Sequence, residues 1–204
     1  ERNEIEMKNL IAIFIFYISQ IGFSQSIFPE IKSNATEEDK TESIIYSLLS
    51  NKYEFIIAYT TQCYWWSDKK NYVVYAFKNN TWEKIIVDSK RKKNGNWTKP
   101  KSKSHIISNQ KANELIQTLS KKSFWDLKRE ELNIDKQKND DGSVTKFSLH
   151  DGVNYRFEII TKQDFRIIES YEPEYFLEKM PEIKERKIFI NCRDDFENFI
   201  KNGA

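Results

Sequence analysis

Few residues in this chain have the type and spacing to do chemistry. Cys63 and Cys192 are the only cysteines among 204 residues. In an oxidising compartment such a pair favours one disulfide. It would tie the loop after the first strand to the C-terminal helix and stabilise the fold by about 3–5 kcal/mol on loop-entropy grounds. The rival reading is two buried free thiols, since cysteine packs as a small apolar residue. No Cys-x-x-Cys is present, so a thioredoxin-like redox role has no support.

Metal and catalytic patterns are absent from the sequence. His105 and His150 are the two histidines and lie far apart, and His150 reads as a turn residue. Gln137, Asn139, Asp141 and Gly142 imitate the start of a calcium loop, but the first position should be Asp and the twelfth, Ser148, should be Glu. There is no Gly-x-Ser-x-Gly, no His-Glu-x-x-His and no phosphate-cradling glycine loop. The carboxylate pairs Glu130-Glu131, Asp140-Asp141 and Asp194-Asp195 sit in polar surroundings, whereas a general acid needs a dry pocket to raise its pKa. The expectation is therefore no catalytic residue, no metal and no cofactor.

Two groups remain with binding chemistry. Tyr64-Trp65-Trp66 follows Cys63 directly, and adjacent large aromatics cannot all face inward from one strand. The plainer reading is that both tryptophans cover the edge of the core; the alternative leaves Trp65 or Trp66 exposed on a binding surface. The second group is 89–104, which holds Lys90, Arg91, Lys92, Lys93, Lys99, Lys101 and Lys103, includes Trp97, and carries no acidic residue. Its plainer reading is a solvated loop; its functional reading is a contact for an acidic partner, a phosphate-rich lipid or a glycan. The candidate binding residues are Trp65, Trp66, Trp97, Lys92, Lys93 and Lys99. A formal net charge of +2 is too small to imply nucleic acid, which is not expected as a partner.

The elements that must position these residues begin with a leader. Met7-Lys8-Asn9 precedes an apolar run from Leu10 to Ile18, and Gly22 and Ser24 follow near its exit. A positive start, a short apolar core and small exit residues read as a secretory signal peptide over 1–25, cleaved after Ser24 or Gln25. The rival is a buried N-terminal helix. The run is too short to span a bilayer comfortably, so no transmembrane segment is expected once the leader is removed. No cysteine lies near the exit, which argues against a lipid anchor. Residues 1–6 do not fit a leader and read as an over-extended reading frame or an appended remnant.

The remainder, 26–204, reads as one α+β domain: an antiparallel sheet of about five to six strands with helices packed on one face. A helix is expected over 36–50, with Thr36 or Asn34 as its cap and Ile44, Ile45, Leu48 and Leu49 as its apolar stripe. A strand follows over 53–60, then a hairpin of 71–77 and 81–88 across Asn79-Asn80. The basic stretch 89–104 reads as unstructured, broken by Asn94-Gly95-Asn96 and Pro100. Asn109 is expected to cap a helix whose inward residues are Ala112, Leu115, Ile116 and Leu119. Phe124, Trp125 and Leu127 should plug the core beside it, and 128–143 reads as polar and mobile. The clearest alternation lies in 144–161 and predicts a hairpin with His150-Asp151-Gly152 as a three-residue loop, Leu149 opposing Val153 and Phe147 opposing Tyr155. A third strand over 165–170 follows. Pro173 starts a short helix, Pro181 ends it, and a last helix lines up Phe189, Cys192, Phe196 and Phe199 on one face.

The leader, ending Phe23-Ser24-Gln25, and the tail from Tyr171 to Phe199 resemble small uncharacterised exported proteins of Bacteroidetes-type bacteria. The resemblance covers the leader and roughly the last third of the chain. It implies a periplasmic or secreted location and brings no activity with it. The leading functional expectation is an exported, non-enzymatic binding or interaction module, of inhibitor- or immunity-like kind, whose partner is a protein or an anionic envelope component. The alternatives are a structural accessory of the cell envelope and an enzyme whose site is assembled from scattered residues.

Overall fold

The structure, a computed structural model, describes residues 28–63 and 68–202. Six antiparallel strands form its main sheet: β1 (Phe55–Cys63), β2 (Lys69–Lys78), β3 (Thr81–Lys90), β4 (Lys101–Ile106), β7 (Val153–Thr161) and β8 (Phe165–Tyr171). Their spatial order is β4-β3-β2-β1-β7-β8, and β5 (Lys136–Lys138) and β6 (Val144–Lys146) pair in a separate ribbon. The helices are α1 (Glu37–Glu42), α2 (Ile44–Leu49), α3 (Asn109–Lys121), α4 (Arg129–Leu132), α5 (Pro173–Lys179) and α6 (Lys184–Asn202). An α+β architecture built on an antiparallel sheet is what the sequence predicts. No helix among the described residues is long and apolar enough to cross a membrane.

Local chemistry explains several elements. Asn79 and Asn80 both take positive φ, 47° and 59°, the geometry a tight hairpin turn needs and asparagine tolerates. The α3 helix buries Ala112, Leu115, Ile116 and Leu119 as its periodicity requires, although Ser108 rather than Asn109 is its cap. The Asn109 side chain instead accepts from Trp82 N–H and donates to the Asn80 carbonyl, bracing the β2–β3 turn. The helix expected over 36–50 is broken at Ser43, whose backbone is extended. Its hydroxyl accepts from Tyr46 N–H and donates to Glu158, so one serine restarts the helix and satisfies a buried carboxylate.

The two faces of the sheet carry separate cores. On the front, α3, α6 and the turn at Phe124–Asp126 bury Phe124, Phe189, Cys192 and Phe196 against Phe55, Tyr59, Trp82 and Phe157. On the back, α2 lays Ile45 and Leu49 over Ile56, Val74, Ile85 and Phe165. The main helical layer thus lies on one face as expected, and the short N-terminal helix adds cover to the other. Beyond α2 the back face is ionic. Arg156 donates to Glu158 at 3.0 Å and to Glu169 at 3.1 Å, and Arg129 bridges Glu169 and Asp39. Glu158 is 1% exposed, so its charge relies on Arg156 and Ser43.

The hairpin expected across His150-Asp151-Gly152 does not form. The β6 strand pairs with β5 across a turn in which Gly142 takes φ +84° and Asp141 accepts from Ser143 N–H. The strand after Gly152 pairs with β1 and β8 instead. Of the two Asp-Gly turns, Asp141-Gly142 closes the hairpin. The physical reason is burial: between β1 and β8, β7 covers Phe157 and Ile159 on one face and Glu158 and Ile160 on the other. Gly152 is needed for room rather than for positive φ. A Cβ there would lie 2.3 Å from Glu172 Cγ and 2.6 Å from the Tyr171 hydroxyl.

The sheet's edges differ. Along β8, the Asn34 side chain accepts from Ile167 N–H and donates to the Ile167 carbonyl, at 2.7 and 2.8 Å. Asn133 does the same for Tyr171 N–H and the Glu169 carbonyl, and Ser33 accepts from Phe165 N–H. Side-chain amides therefore stand in for a neighbouring strand. Along β4 every residue is exposed.

Candidate functional site

The basic stretch 89–104 is ordered by backbone and hydroxyl bonds into an extension of β3 and β4. Thr98 N–H donates to the Lys90 carbonyl at 2.8 Å, and its hydroxyl accepts from Lys90 N–H at 2.9 Å. Ser89 donates to the Thr98 carbonyl, and Arg91 bridges to Trp97. At the tip, Lys92 N–H donates to Asn96 and Gly95 N–H to Lys92, with Gly95 at φ +84°. The expectation of an unstructured stretch is thus corrected: alternating Lys101, Ser102, Lys103 and Ser104 form strand β4, and Pro100 stands just before it, where its missing N–H costs the ladder nothing.

This arrangement holds charge outward. Lys92, Lys93 and Lys99 are exposed. None of the ion pairs among the described residues involves the seven cations from Lys90 to Lys103. Trp97 is half-buried, and Lys70 Nζ lies 4.9 Å from its ring centroid. Its indole therefore carries a cation over one face. Trp65 and Trp66 lie outside the described residues. Their flanks stand at the same end of the sheet as the loop: Cys63 ends β1, and the Asp68 carbonyl accepts from Arg91 N–H at 2.7 Å.

The expected disulfide is corrected as well. Cys63 and Cys192 are free thiols, the first exposed at the end of β1 and the second buried. Cys192 faces the front core of α6, whereas Cys63 sits where β1 has run past that core, and no bond joins them. Burial pushes the Cys192 thiol up to about 12, with Lys122 pulling weakly the other way.

The other polar features read as support for the fold. Arg186 is fully buried and donates to the carbonyls of Leu132, Phe176 and Ile134. Arg193 lies over the Tyr155 ring and pairs with Glu174 and Asp194, while Tyr59 donates to Glu197. Burial, then the Glu197 carboxylate, raise the Tyr59 phenol well above its usual range. A cleft of about 520 Å³ lies between Trp125, Lys128, Glu130 and Arg166 and mixes both signs of charge. His105 lies on β4 and His150 before β7, both exposed. Among the described residues no three His, Cys, Asp or Glu side chains gather to hold a metal.

Sequence reading found the basic stretch but missed the strand inside it. The signal available was the Lys-Ser-Lys-Ser alternation. Comparison with known proteins finds no matching family model, no matching curated protein and no matching solved structure.

Proposed function

We propose that this chain is an exported, non-enzymatic binding module whose contact surface is the β3–β4 connection and the outer side of β4. One observation carries the reading: seven cations from Lys90 to Lys103 have no ion-pair partner among the described residues, and they flank in sequence an indole that carries Lys70 over its ring. Solvated lysines need no such scaffold, whereas a surface for an anionic partner gains from charges fixed beside an aromatic platform. The leader pattern, and the resemblance of leader and tail to small exported proteins of Bacteroidetes-type bacteria, support a periplasmic or secreted place of action. The partner is then an exported protein or an anionic component of the envelope.

The test is retention of envelope components by the immobilised protein and by its K92E/K93E/K99E variant. A component held at low salt, released at high salt and lost by the variant is expected, because exposed charge contacts are screened. Equal retention by both forms, or no retention at any salt, overturns the reading. N-terminal sequencing of the native product checks the compartment: a chain beginning at Gln25 or Ser26 is expected.

A further inference from the structure

We infer that β4 accepts an extended acidic segment of a partner polypeptide as a seventh strand of the sheet. The inference rests on the binding surface proposed above and names its ligand. The two edges of the sheet contrast. Asn34, Asn133 and Ser33 close β8 by occupying its outward backbone groups. Among the described residues nothing comparable covers β4. Ile107 N–H donates to the Trp82 carbonyl, and β3 and β4 pair in register from Glu83↔Ile106 to Asp88↔Lys101. The alternation of an antiparallel ladder then points the backbone of Lys101, Lys103 and His105 at β3. It turns the N–H and C=O groups of Ser102, Ser104 and Ile106 outward. No hydrogen bond among the described residues reaches those outward groups. They form a ready template for one more strand.

Side chains choose which strand. Lys101, Lys103 and His105 share one face of the edge, and Ser102, Ser104 and Ile106 the other. An added strand sets every second side chain beside Lys101 and Lys103, where opposite charges attract and like charges directly across repel. Lysines on an edge therefore act as a filter: a basic or neutral strand is turned away and an acidic one is drawn in. Lys99 and the loop at Lys92 and Lys93 extend the same field. Charge also argues against a second copy of this chain. Two β4 edges meeting antiparallel would bring Lys101 and Lys103 of one copy against those of the other. On the opposite face, Ser102 and Ser104 leave room, and Ile106, 72% exposed, offers an apolar anchor.

The experiment uses labelled peptides of about eight residues, long enough to span β4. One alternates Thr and Glu, a second alternates Thr and Lys, and a third has Pro replacing alternate Thr of the first. Binding is read by fluorescence anisotropy and amide hydrogen exchange. The Thr-Glu peptide should bind and slow exchange at Ser102, Ser104 and Ile106, while the Thr-Lys peptide should not bind. The proline peptide and the Ser102→Pro variant should each lose affinity by about tenfold, the worth of a strand hydrogen bond. Proline is tolerated where the N–H faces outward on an edge, and an unchanged melting temperature verifies that the variant folds. Lys103→Glu provides a second check by weakening the Thr-Glu peptide and narrowing its advantage over the Thr-Lys peptide. Equal binding of the Thr-Glu and proline peptides would overturn strand addition while leaving the basic surface intact. So would self-association that protects β4 without peptide. No binding of the Thr-Glu peptide at low salt overturns the inference by itself, and retention of envelope components by the K92E/K93E/K99E variant decides the broader reading separately.

Discussion

Replacing Arg156 with Met should expose how the back face of the sheet is held. Arg156 donates to Glu158 and Glu169, and the Glu158 side chain is 1% exposed. Among the described residues the substitution leaves Glu158 with the Ser43 hydroxyl, while Glu169 keeps Arg129. Orphaning one charge of a buried pair costs about 3–5 kcal/mol. At about 2–4 °C per kcal/mol for a chain of this size, the melting temperature should fall by about 6–20 °C. Replacing both partners, as in R156M/E158M, removes the orphan and should recover at least half of that loss. Urea unfolding followed by circular dichroism gives the free energies. An R156M loss under about 1 kcal/mol, or a double variant worse than R156M, would refute the reasoning.

Other substitutions test separate features. Burial draws the Asp39 carboxyl upward, but the Thr36 amide and hydroxyl, with Arg129 and Arg156, outweigh it and hold the group below its usual range. D39N should therefore cost about 1 kcal/mol at pH 7 in urea melts, and the difference should vanish as pH falls below about 4. A thiol reagent at pH 8 should label one cysteine per native chain, with peptide mapping assigning it to Cys63. Cys192, pushed up to about 12 and buried, should react only after unfolding. Two thiols labelled rapidly in the native protein would contradict this. G152A should destabilise by about 1–3 kcal/mol, because its Cβ overlaps Glu172 and Tyr171.

The legible parts of the sequence were those decided locally. The inward residues of α3, the Asn79-Asn80 turn and the buried Phe189, Cys192 and Phe196 of α6 follow from spacing along one element. Pairing across the chain was less legible. Two Asp-Gly turns competed for the role of hairpin, and the stronger alternation beside Asp151-Gly152 belongs to a strand placed between two others. No spacing marks Arg156, Glu158 or Arg186 as buried, because their partners come from other segments, as when Ser43 meets Glu158. At the candidate site the lysines and Trp97 were visible. The edge strand was hidden, because lysine, serine and a neighbouring proline are also what a loop is made of.

Strand β1 is flanked by two neighbours of very different origin. One, β2, follows it almost at once, while the other pairs Cys63 with Val153 and Phe55 with Thr161. A nascent chain can complete the first side early, but Phe55 to Tyr59 must then wait with one edge open until the far end has been made. A message cut short before Val153 therefore yields a fragment prone to clump, not a smaller working protein.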